Sequence, residues 1–180
     1  MPWTNGPLIL YHGTTDDAAT AISKPSQASP HGIDFALCKP LKDFGRGFYL
    51  TTVLRQAESW ADLKFNRHTK SRKASCSAVL RFEVDRDQLA PLLSLCFVTE
   101  GAGPNSDYWD FVDHCREGAS THLLQGDKNY DVVFGPVSLG RQQFVIKDAD
   151  QVSFHTEAAL KILPPPILHS KGTPTYKTEV

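Results

Sequence analysis

Short helical and strand-like segments follow one another along this chain, and their order limits the fold. The apolar run at residues 7–11 predicts a buried strand, and residues 53–67 have the composition and spacing of an amphipathic helix. Residues 78–84 alternate between apolar and polar side chains, which indicates a half-buried strand. Later candidates are a helix at 106–118, strands at 130–138, 142–148 and 151–155, and a helical turn at 156–163. Helices come early and short strands late, so the sequence predicts an α+β fold rather than repeated βαβ units.

Capping residues and prolines set some of the expected boundaries. Ser106 or Asp107 is expected to cap the helix that begins there, because short polar side chains accept hydrogen bonds from the free N–H groups of a first turn. The strand at 130–138 is expected to break at Gly135-Pro136. Residues 86–98 fit either a short helix or a strand.

The length and composition fit one globular domain. The chain has 180 residues, of which 41% are hydrophobic and 22% charged. We expect the domain to span residues 1–163, followed by a Pro-rich segment, 164–180, that is either a tail or an extended packed arm. With 19 Lys and Arg against 20 Asp and Glu, nothing favours a broad nucleic-acid or membrane surface. The local basic run at 64–73 is either a solvated loop or helix end, or a surface for a polyanion.

The sequence favours a soluble protein, expected in the cytoplasm. The N-terminal residues lack the basic and apolar regions of a signal peptide, and the run PLILY is too short to span a membrane. The four cysteines, at 38, 76, 96 and 115, have no CxxC spacing and no histidine cluster beside them, so no metal site is expected. The last three residues, TEV, also fit a peptide that PDZ domains bind, although so short a match arises easily by chance.

A histidine and a tyrosine stand next to glycines. His12 follows the first apolar run and precedes Gly13, where a ligand can approach the backbone closely. Tyr49 follows Gly45 and Gly47 in the segment LKDFGRGFYLTT, residues 41–52. Each has a plain structural explanation on its own: a satisfied polar residue after a strand, and a glycine-bearing turn that leads into a core aromatic. The GRG tripeptide also lacks the spacing of a phosphate-binding loop.

Taken together, the segments LYHGTT, DFGRGFYLTT, QAESWA and DQVSFHT resemble the ADP-ribosyltransferase clan. The resemblance is to the branch marked by His, Tyr and an acid, which includes diphtheria-toxin-like and poly-ADP-ribose-polymerase-like enzymes. Within that branch, the segments look like a small family of unknown function. The resemblance covers roughly residues 8–163. It implies a split β-sandwich of two small antiparallel sheets with flanking helices, and NAD⁺ in the cleft between the sheets.

The resemblance also implies a role for each matching residue. His12 matches the histidine that hydrogen-bonds the adenine-ribose hydroxyl of NAD⁺, and Gly13 matches the residue whose backbone N–H and C=O bind the nicotinamide carboxamide. Tyr49 matches the tyrosine that stacks on the nicotinamide ring, which suits the cationic ring of NAD⁺. Trp60 is expected to close the other side of the ring, unless it is a core tryptophan.

Further residues complete the expected NAD⁺ site. The cofactor-binding set also includes Thr14, Arg46, Gly47 and Phe48. Arg46 is expected to meet the pyrophosphate. Where relatives often carry a serine for the carboxamide, this chain has Ala57, so that contact is either missing or made by another group such as Ser59. Asp34 and Asp43 are expected to be helix caps or turn formers rather than ligand-binding residues.

This chain departs from the family pattern at its third position. Gln151 stands where the family has a catalytic glutamate at the start of a late strand. Glutamine keeps the hydrogen bond to the ribose 2′-hydroxyl but loses the charge, and one lost preorganised group costs on the order of 3–4 kcal/mol. Three interpretations follow. The chain is a mono-transferase with a reactive or substrate-assisted target, or Asp150 or Glu157 supplies the acid, or the chain binds NAD⁺ or ADP-ribose without turnover.

The sequence therefore predicts an NAD⁺-dependent mono-ADP-ribosyltransferase with His12, Tyr49 and Gln151 as catalytic residues. NAD⁺ is the expected co-substrate, and the acceptor is expected to be a macromolecule, preferably a protein, with no membrane partner. The alternative is a degenerate NAD⁺- or ADP-ribose-binding module. A relative that acts on nucleic acid, as tRNA 2′-phosphotransferases of the clan do, fits less well, since the arginines on which those enzymes depend are not matched and the net charge is near zero.

Overall fold

The computed structural model describes residues 5–25, 31–68, 76–99, 104–122, 128–140 and 143–172. These residues contain the strands β1 (Leu8–Thr15), β2 (Phe48–Leu50), β3 (Ser77–Val84), β4 (Ser94–Cys96), β5 (Val132–Ser138), β6 (Val145–Phe154) and β7 (Ile167–Lys171). They also contain the helices α1 (Asp16–Ile22), α2 (Leu54–His68), α3 (Arg86–Leu89), α4 (Ser106–Arg116) and α5 (Glu157–Lys161), with a 3₁₀ turn at Phe35–Leu37. The coarse prediction of an α+β fold with two sheets is confirmed.

The first sheet has the strand order β1-β3-β7, and both of its pairs are antiparallel. The ladder between β1 and β3 runs from Leu8 opposite Val84 to Thr15 opposite Ser77. Strand β7 forms an edge and lies within the Pro-rich segment expected after residue 163, so residues 167–171 are a packed arm. The segment 173–180, with the C-terminal TEV, lies outside the described residues.

The second sheet has the order β2-β6-β5-β4 and is mixed. Strand β6 pairs antiparallel with both β2 and β5, but β4 and β5 are parallel. The prediction of two antiparallel sheets is therefore wrong for this sheet. The physical reason is the connection between the two strands: it contains α4, and a helical crossover returns the chain in its original direction.

Strands β5 and β6 also differ from the expected boundaries. Strand β5 continues through Gly135 and Pro136, and the irregularity in its pairing with β6 comes only after Pro136. The two strands expected at 142–148 and 151–155 form one strand, and Asp148, at φ 55°, lies in the irregular stretch. Gln151 is paired with Gly135 inside β6 instead of starting a strand, because β5 supplies a ladder partner on both sides of it.

The two sheets pack face to face around the main core. The first sheet contributes Leu10, Leu80 and Phe82, and the second contributes Phe48, Leu50, Val152 and Phe154. Helix α2 covers the outer face of the first sheet, where Ala57 and Ala61 pack on Val79. Helix α4 covers the outer face of the second sheet, where Phe111 and Val112 pack with Val133. The order of layers is α2, first sheet, second sheet, α4.

Helix ends follow capping chemistry in most places. Helix α4 begins after Asn105, whose Oδ1 accepts a hydrogen bond from Tyr108 N, so neither of the two expected residues, Ser106 and Asp107, is the cap. The ambiguous stretch 86–98 contains α3 and β4. None of the helices in the described part of the chain is long and apolar enough to cross a membrane.

Candidate functional site

Strands β1 and β2 meet at one bridge and then separate. Tyr11 N donates to Thr51 O (2.8 Å) and Thr51 N donates to Tyr11 O (3.0 Å). Continuing that register would place Gly13 opposite Tyr49, but the described residues form no second β1–β2 bridge. We call the space between Gly13 and Tyr49 the β1–β2 gap. It is the point at which the two sheets diverge.

Gly13 directs its backbone polar groups into this gap. Since the N–H and C=O of Tyr11 both bond to Thr51, the same groups of Gly13, two residues along the strand, point to the same side. Among the described residues no strand partner meets them there. On its other face Gly13 touches α2, because a Cβ built on it would lie 1.9 Å from the carbonyl oxygen of Ala57. Glycine is therefore required for the packing of the helix, and Gly13 itself is buried.

His12 lies at the edge of the gap in its neutral form. Its ring stacks on Phe48 at 4.6 Å, and its Nδ1–H donates to Tyr49 O at 2.7 Å. A carbonyl only accepts, so Nδ1 carries the proton and Nε2 is an acceptor. Burial, and secondly the ammonium of Lys64, lower the pKa of His12 to about 3. Lys64 Nζ lies 3.5 Å from Nε2 and donates to it.

The phenol of Tyr49 is held by the turn that precedes it. Its hydroxyl donates to Gly45 O (2.8 Å) and accepts from Phe44 N (3.0 Å). The ring stacks with Phe44 at 6.4 Å and meets the edge of His155 at 6.3 Å. Gly45 has a φ of +76°, which favours glycine, so the expected turn is present. Burial raises the pKa of Tyr49 well above its ordinary value, which keeps the phenol neutral.

The second glycine of the GRG tripeptide, Gly47, lets the ring of His155 lie close to the backbone. A Cβ on Gly47 would lie 2.8 Å from the ring of His155. His155 Nδ1–H donates to Arg46 O (2.8 Å), so this imidazole fixes the backbone beneath Tyr49. The side chain of Arg46 is exposed, as expected from its glycine neighbours. Phe48 is a core residue, 5% exposed, and reaches the gap through its stack with His12.

Lys64, which contacts His12, is influenced by other basic side chains. Burial, and then the charges of Lys42 and Lys39, lower the pKa of Lys64 to about 8. Arg46 and Lys64 are both near enough to the thiol of Cys38 to act on it electrostatically. In the described part of the chain none of these four cations forms an ion pair. We call these four residues the cationic cluster (Lys39, Lys42, Arg46, Lys64).

Gln151 lies on the same face of the second sheet as Tyr49, in a polar network. Its Nε2 donates to Asp43 Oδ2 and to Pro136 O, both at 2.9 Å. Asp43 Oδ2 also accepts from Ser138 N (2.9 Å) and Ser138 Oγ (2.8 Å), and its Oδ1 accepts from Arg116 at 2.7 Å. The expectation that Asp43 is only a turn former is wrong. Its carboxylate joins the turn before Tyr49 to β5, β6 and α4.

The other acids stand elsewhere. Asp150 accepts hydrogen bonds from Thr51 Oγ1 and from Thr52, at the start of α2. Glu157 lies on α5 beside His31 and Lys161. Neither carboxylate belongs to the network around Gln151, so neither supplies the charge that glutamine lacks. Asp34 caps the 3₁₀ turn through Ala36 N, as expected.

Trp60 is a surface residue of α2. It is 45% exposed, so the alternative of a core tryptophan is wrong. It stands four residues after Gln56 and four before Lys64, on one stripe of the helix. Gln56 bonds to the backbone of Asp150 and Lys64 to His12, so Trp60 lies between two residues that reach the β1–β2 side of the helix. Thr14, on the same face of β1 as His12, is 4% exposed.

Sequence reasoning missed Lys64 and the role of Asp43. Lys64 carries a signal, since it stands on the helical stripe of Trp60, but the sequence assigns it only to the basic run at 64–73. That run is described as far as residue 68, and its remainder lies outside the described residues. Asp43 carried no local signal, because its partners are 73 to 108 residues away.

Two cavities in the described residues lie away from this site. The larger, of about 360 Å³, is lined by residues that include Glu83, Gln88 and Lys161, and the smaller lies between α2, β3 and β7. Neither is lined by His12, Tyr49 or Gln151. His12 Nδ1–H donates to Tyr49 O and His12 Nε2 accepts from Lys64, so both side chains lie beside the gap in this conformation. Within the described ranges, no group of three His, Cys, Asp or Glu side chains is placed to hold a metal ion.

Comparison with known proteins gives a family but no activity. No curated protein matches the chain, and no solved structure matches it. A family match covers residues 8–146, which includes His12, Tyr49 and Trp60 and ends before Gln151. Since that span is more than half of the chain, the protein belongs to the family of unknown function DUF3990.

Proposed function

We propose that the protein is an NAD⁺-dependent mono-ADP-ribosyltransferase with the split β-sandwich of that clan. The observation that carries the proposal is the β1–β2 gap, into which Gly13 points a backbone donor and a backbone acceptor beside Tyr49. A primary carboxamide needs one acceptor and one donor in its partner, and an extended glycine provides both. The nicotinamide carboxamide of NAD⁺ fits this pair.

The residues around the gap suit the rest of the dinucleotide. Tyr49 offers a neutral aromatic ring to the cationic pyridinium, and Trp60 offers a second from α2. The neutral His12 has a hydrogen-bond acceptor at Nε2 for a hydroxyl of the adenine ribose, once Lys64 turns away. The cationic cluster then faces the two negative charges of the pyrophosphate.

The proposed reaction breaks the bond between the ribose C1′ and nicotinamide. Nicotinamide leaves with the electron pair, and a nucleophile of the acceptor attacks C1′ and loses its proton. Gln151 would accept a hydrogen bond from the ribose 2′-hydroxyl without the full charge of a glutamate. Since electrostatic stabilisation by one preorganised group is on the order of 3–4 kcal/mol, we expect slow turnover and no chain growth. The proposal includes a protein acceptor and a cytoplasmic location.

A binding module is the second candidate, and one observation favours it. Asp150 and Glu157 are both engaged away from Gln151, so neither of them takes the place of the missing glutamate. A protein of this kind would bind NAD⁺ or ADP-ribose in the same gap without releasing nicotinamide.

Incubation with labelled NAD⁺ and a cell lysate tests the proposal. We expect release of nicotinamide and transfer of label to protein, with at least a tenfold loss of both in His12→Gln, because a preorganised hydrogen-bonding group at the site is worth about that much or more. His169→Gln on the edge strand β7 is the matched control and should retain activity. Calorimetric binding of NAD⁺ without nicotinamide release would favour the binding module. Neither binding nor release by the unaltered protein would contradict both candidates.

A further inference from the structure

Gln151 has used both of its hydrogen-bond donors. A glutamine amide has two N–H donors and one oxygen acceptor. The two donors go to Asp43 Oδ2 and Pro136 O, and both partners are acceptors, which fixes the orientation of the amide. The Oε1 atom has no hydrogen-bond partner among the described residues, and the residue as a whole is 7% exposed. Gln151 thus presents only an acceptor.

Asp43 is itself held rigidly. Its side chain is 12% exposed and is bound by Arg116 on one oxygen and by Ser138 and Gln151 on the other. Arg116 also bonds to Ser138 Oγ at 2.5 Å and to Gly140 O. Three other elements therefore fix the carboxylate: α4, β5 and β6. An ionised carboxylate has no donor, so Asp43 can only accept a hydrogen bond from Gln151 unless it is protonated.

Asp43 is also next to the turn that holds Tyr49. Phe44 N and Gly45 O, one and two residues further, bind the Tyr49 hydroxyl. One loop thereby positions both the ring proposed for nicotinamide and the amide proposed for the ribose. A negative charge that accepts a hydrogen bond from the amide N–H also pushes electron density toward Oε1, which makes that oxygen a better acceptor.

We propose that Asp43 is a positioning residue that makes Gln151 an obligate hydrogen-bond acceptor for the ribose 2′-hydroxyl. The inference rests on the proposed function and adds to it the source of the negative charge. Instead of a carboxylate at position 151, this chain has one at position 43, which is one hydrogen bond further from the ribose. Through the amide, it stabilises positive charge that develops on the ribose.

Variants that exchange the carboxylate and the amide between positions 43 and 151 test this inference. In Asp43→Asn the charge is lost and the introduced amide can offer a donor to Gln151, so only Pro136 O still orients the Gln151 amide. We expect kcat for nicotinamide release to fall by about 10- to 100-fold, with KM for NAD⁺ changed by less than about threefold, because the lost interaction acts mainly in the transition state.

Gln151→Glu alone places two carboxylates 2.9 Å apart in place of the amide–carboxylate pair. Like charges at this distance raise the pKa of one of them, so this variant should gain a strong dependence of kcat on pH. The double variant Asp43→Asn/Gln151→Glu restores a donor–acceptor pair with the charge now at position 151. We expect its kcat to equal or exceed that of the unaltered protein.

Asp131→Asn is the matched control. Asp131 also joins distant segments, since it accepts from Leu93 N at 2.9 Å and from Thr156 Oγ1. This substitution should lower the free energy of unfolding and leave kcat unchanged. If Asp43→Asn behaves in the same way, or if the double variant is no better than Asp43→Asn, the inference is overturned while the proposed function stands. If the unaltered protein neither binds NAD⁺ nor releases nicotinamide, both are overturned.

Discussion

At position 13 the chain has no space for a side chain. The carbonyl oxygen of Ala57 lies 1.9 Å from the place of a Cβ, and helix backbone cannot move away locally. We predict that Gly13→Ala lowers the free energy of unfolding by about 1–3 kcal/mol, the usual range for overpacking. Gly6→Ala, where no atom lies within 4 Å of the Cβ, should change it by less than about 0.5 kcal/mol. Urea unfolding of both variants checks this, and equal stabilities would show that α2 does not pack on Gly13.

Lys64 should make anion binding depend on pH. With a pKa of about 8, its ammonium is charged below pH 8 and loses its charge above it. We predict that the affinity for ADP-ribose, measured by calorimetry between pH 6.5 and 9.5, falls by about tenfold as the pH rises through 8, since a charged hydrogen bond contributes about 1.5–3 kcal/mol. Lys64→Met should abolish this dependence, and Lys171→Met on β7 should keep it. A dependence that persists in Lys64→Met would exclude Lys64 from the phosphate site.

Single residues were predicted from the sequence only where a motif carried them. The family pattern brought His12 and Tyr49 together, and the structure places His12 Nδ1 2.7 Å from Tyr49 O. The pattern gave no indication of Asp43, because its bond to Gln151 spans 108 residues. Contacts of this kind depend on the sheet register, which no local pattern reveals.

At the level of elements, strand β7 completes the first sheet from a segment without strand-like alternation. Ile167, Leu168 and His169 are all exposed, so no period-2 pattern marked the strand. Strand β7 is determined instead by its pairing with β3, between residues 78–81 and 167–171. The domain boundary predicted after residue 163 leaves this strand outside the domain for the same reason.

Removal of β7 should therefore weaken the domain. We predict that a chain ending at residue 166 has a free energy of unfolding about 2–4 kcal/mol lower than one ending at residue 172, since it loses several ladder hydrogen bonds of about 1 kcal/mol each. The shorter chain should also associate, because β3 becomes an exposed edge. Urea unfolding and light scattering of the two chains measure this. Identical stabilities would mean that β7 contributes nothing to the sheet.

At the scale of the whole molecule, neutral histidines are buried between the layers. Their burial makes the free energy of unfolding sensitive to acid. His155 is 4% exposed, and burial, followed by the neighbouring His122, lowers its pKa to about 3. Between pH 6.5 and about 3 the unfolded chain binds a proton at this position that the folded chain does not. Stability therefore falls as the pH falls, by about 1.4 kcal/mol per pH unit for each such group.

His155→Gln should reduce this slope by about 1.4 kcal/mol per pH unit below pH 6.5, which urea unfolding at several pH values measures. The variant is expected to be less stable at pH 7, because it loses the bond to Arg46 O and the one with Ser153 Oγ. The change in slope, and not the loss at pH 7, is the informative quantity. An unchanged slope would mean that His155 is protonated in the folded state.

The four-layer arrangement places the proposed site where the two sheets diverge, with α2 above one side of the gap and the Asp43 turn on the other. A crystal structure of the protein with NAD⁺ is the most direct measurement of this account. We predict the nicotinamide carboxamide on the backbone N–H and C=O of Gly13, its ring against Tyr49, and Lys64 turned from His12 toward the pyrophosphate. A dinucleotide bound in another place, such as the cavity lined by Glu83 and Lys161, would contradict it.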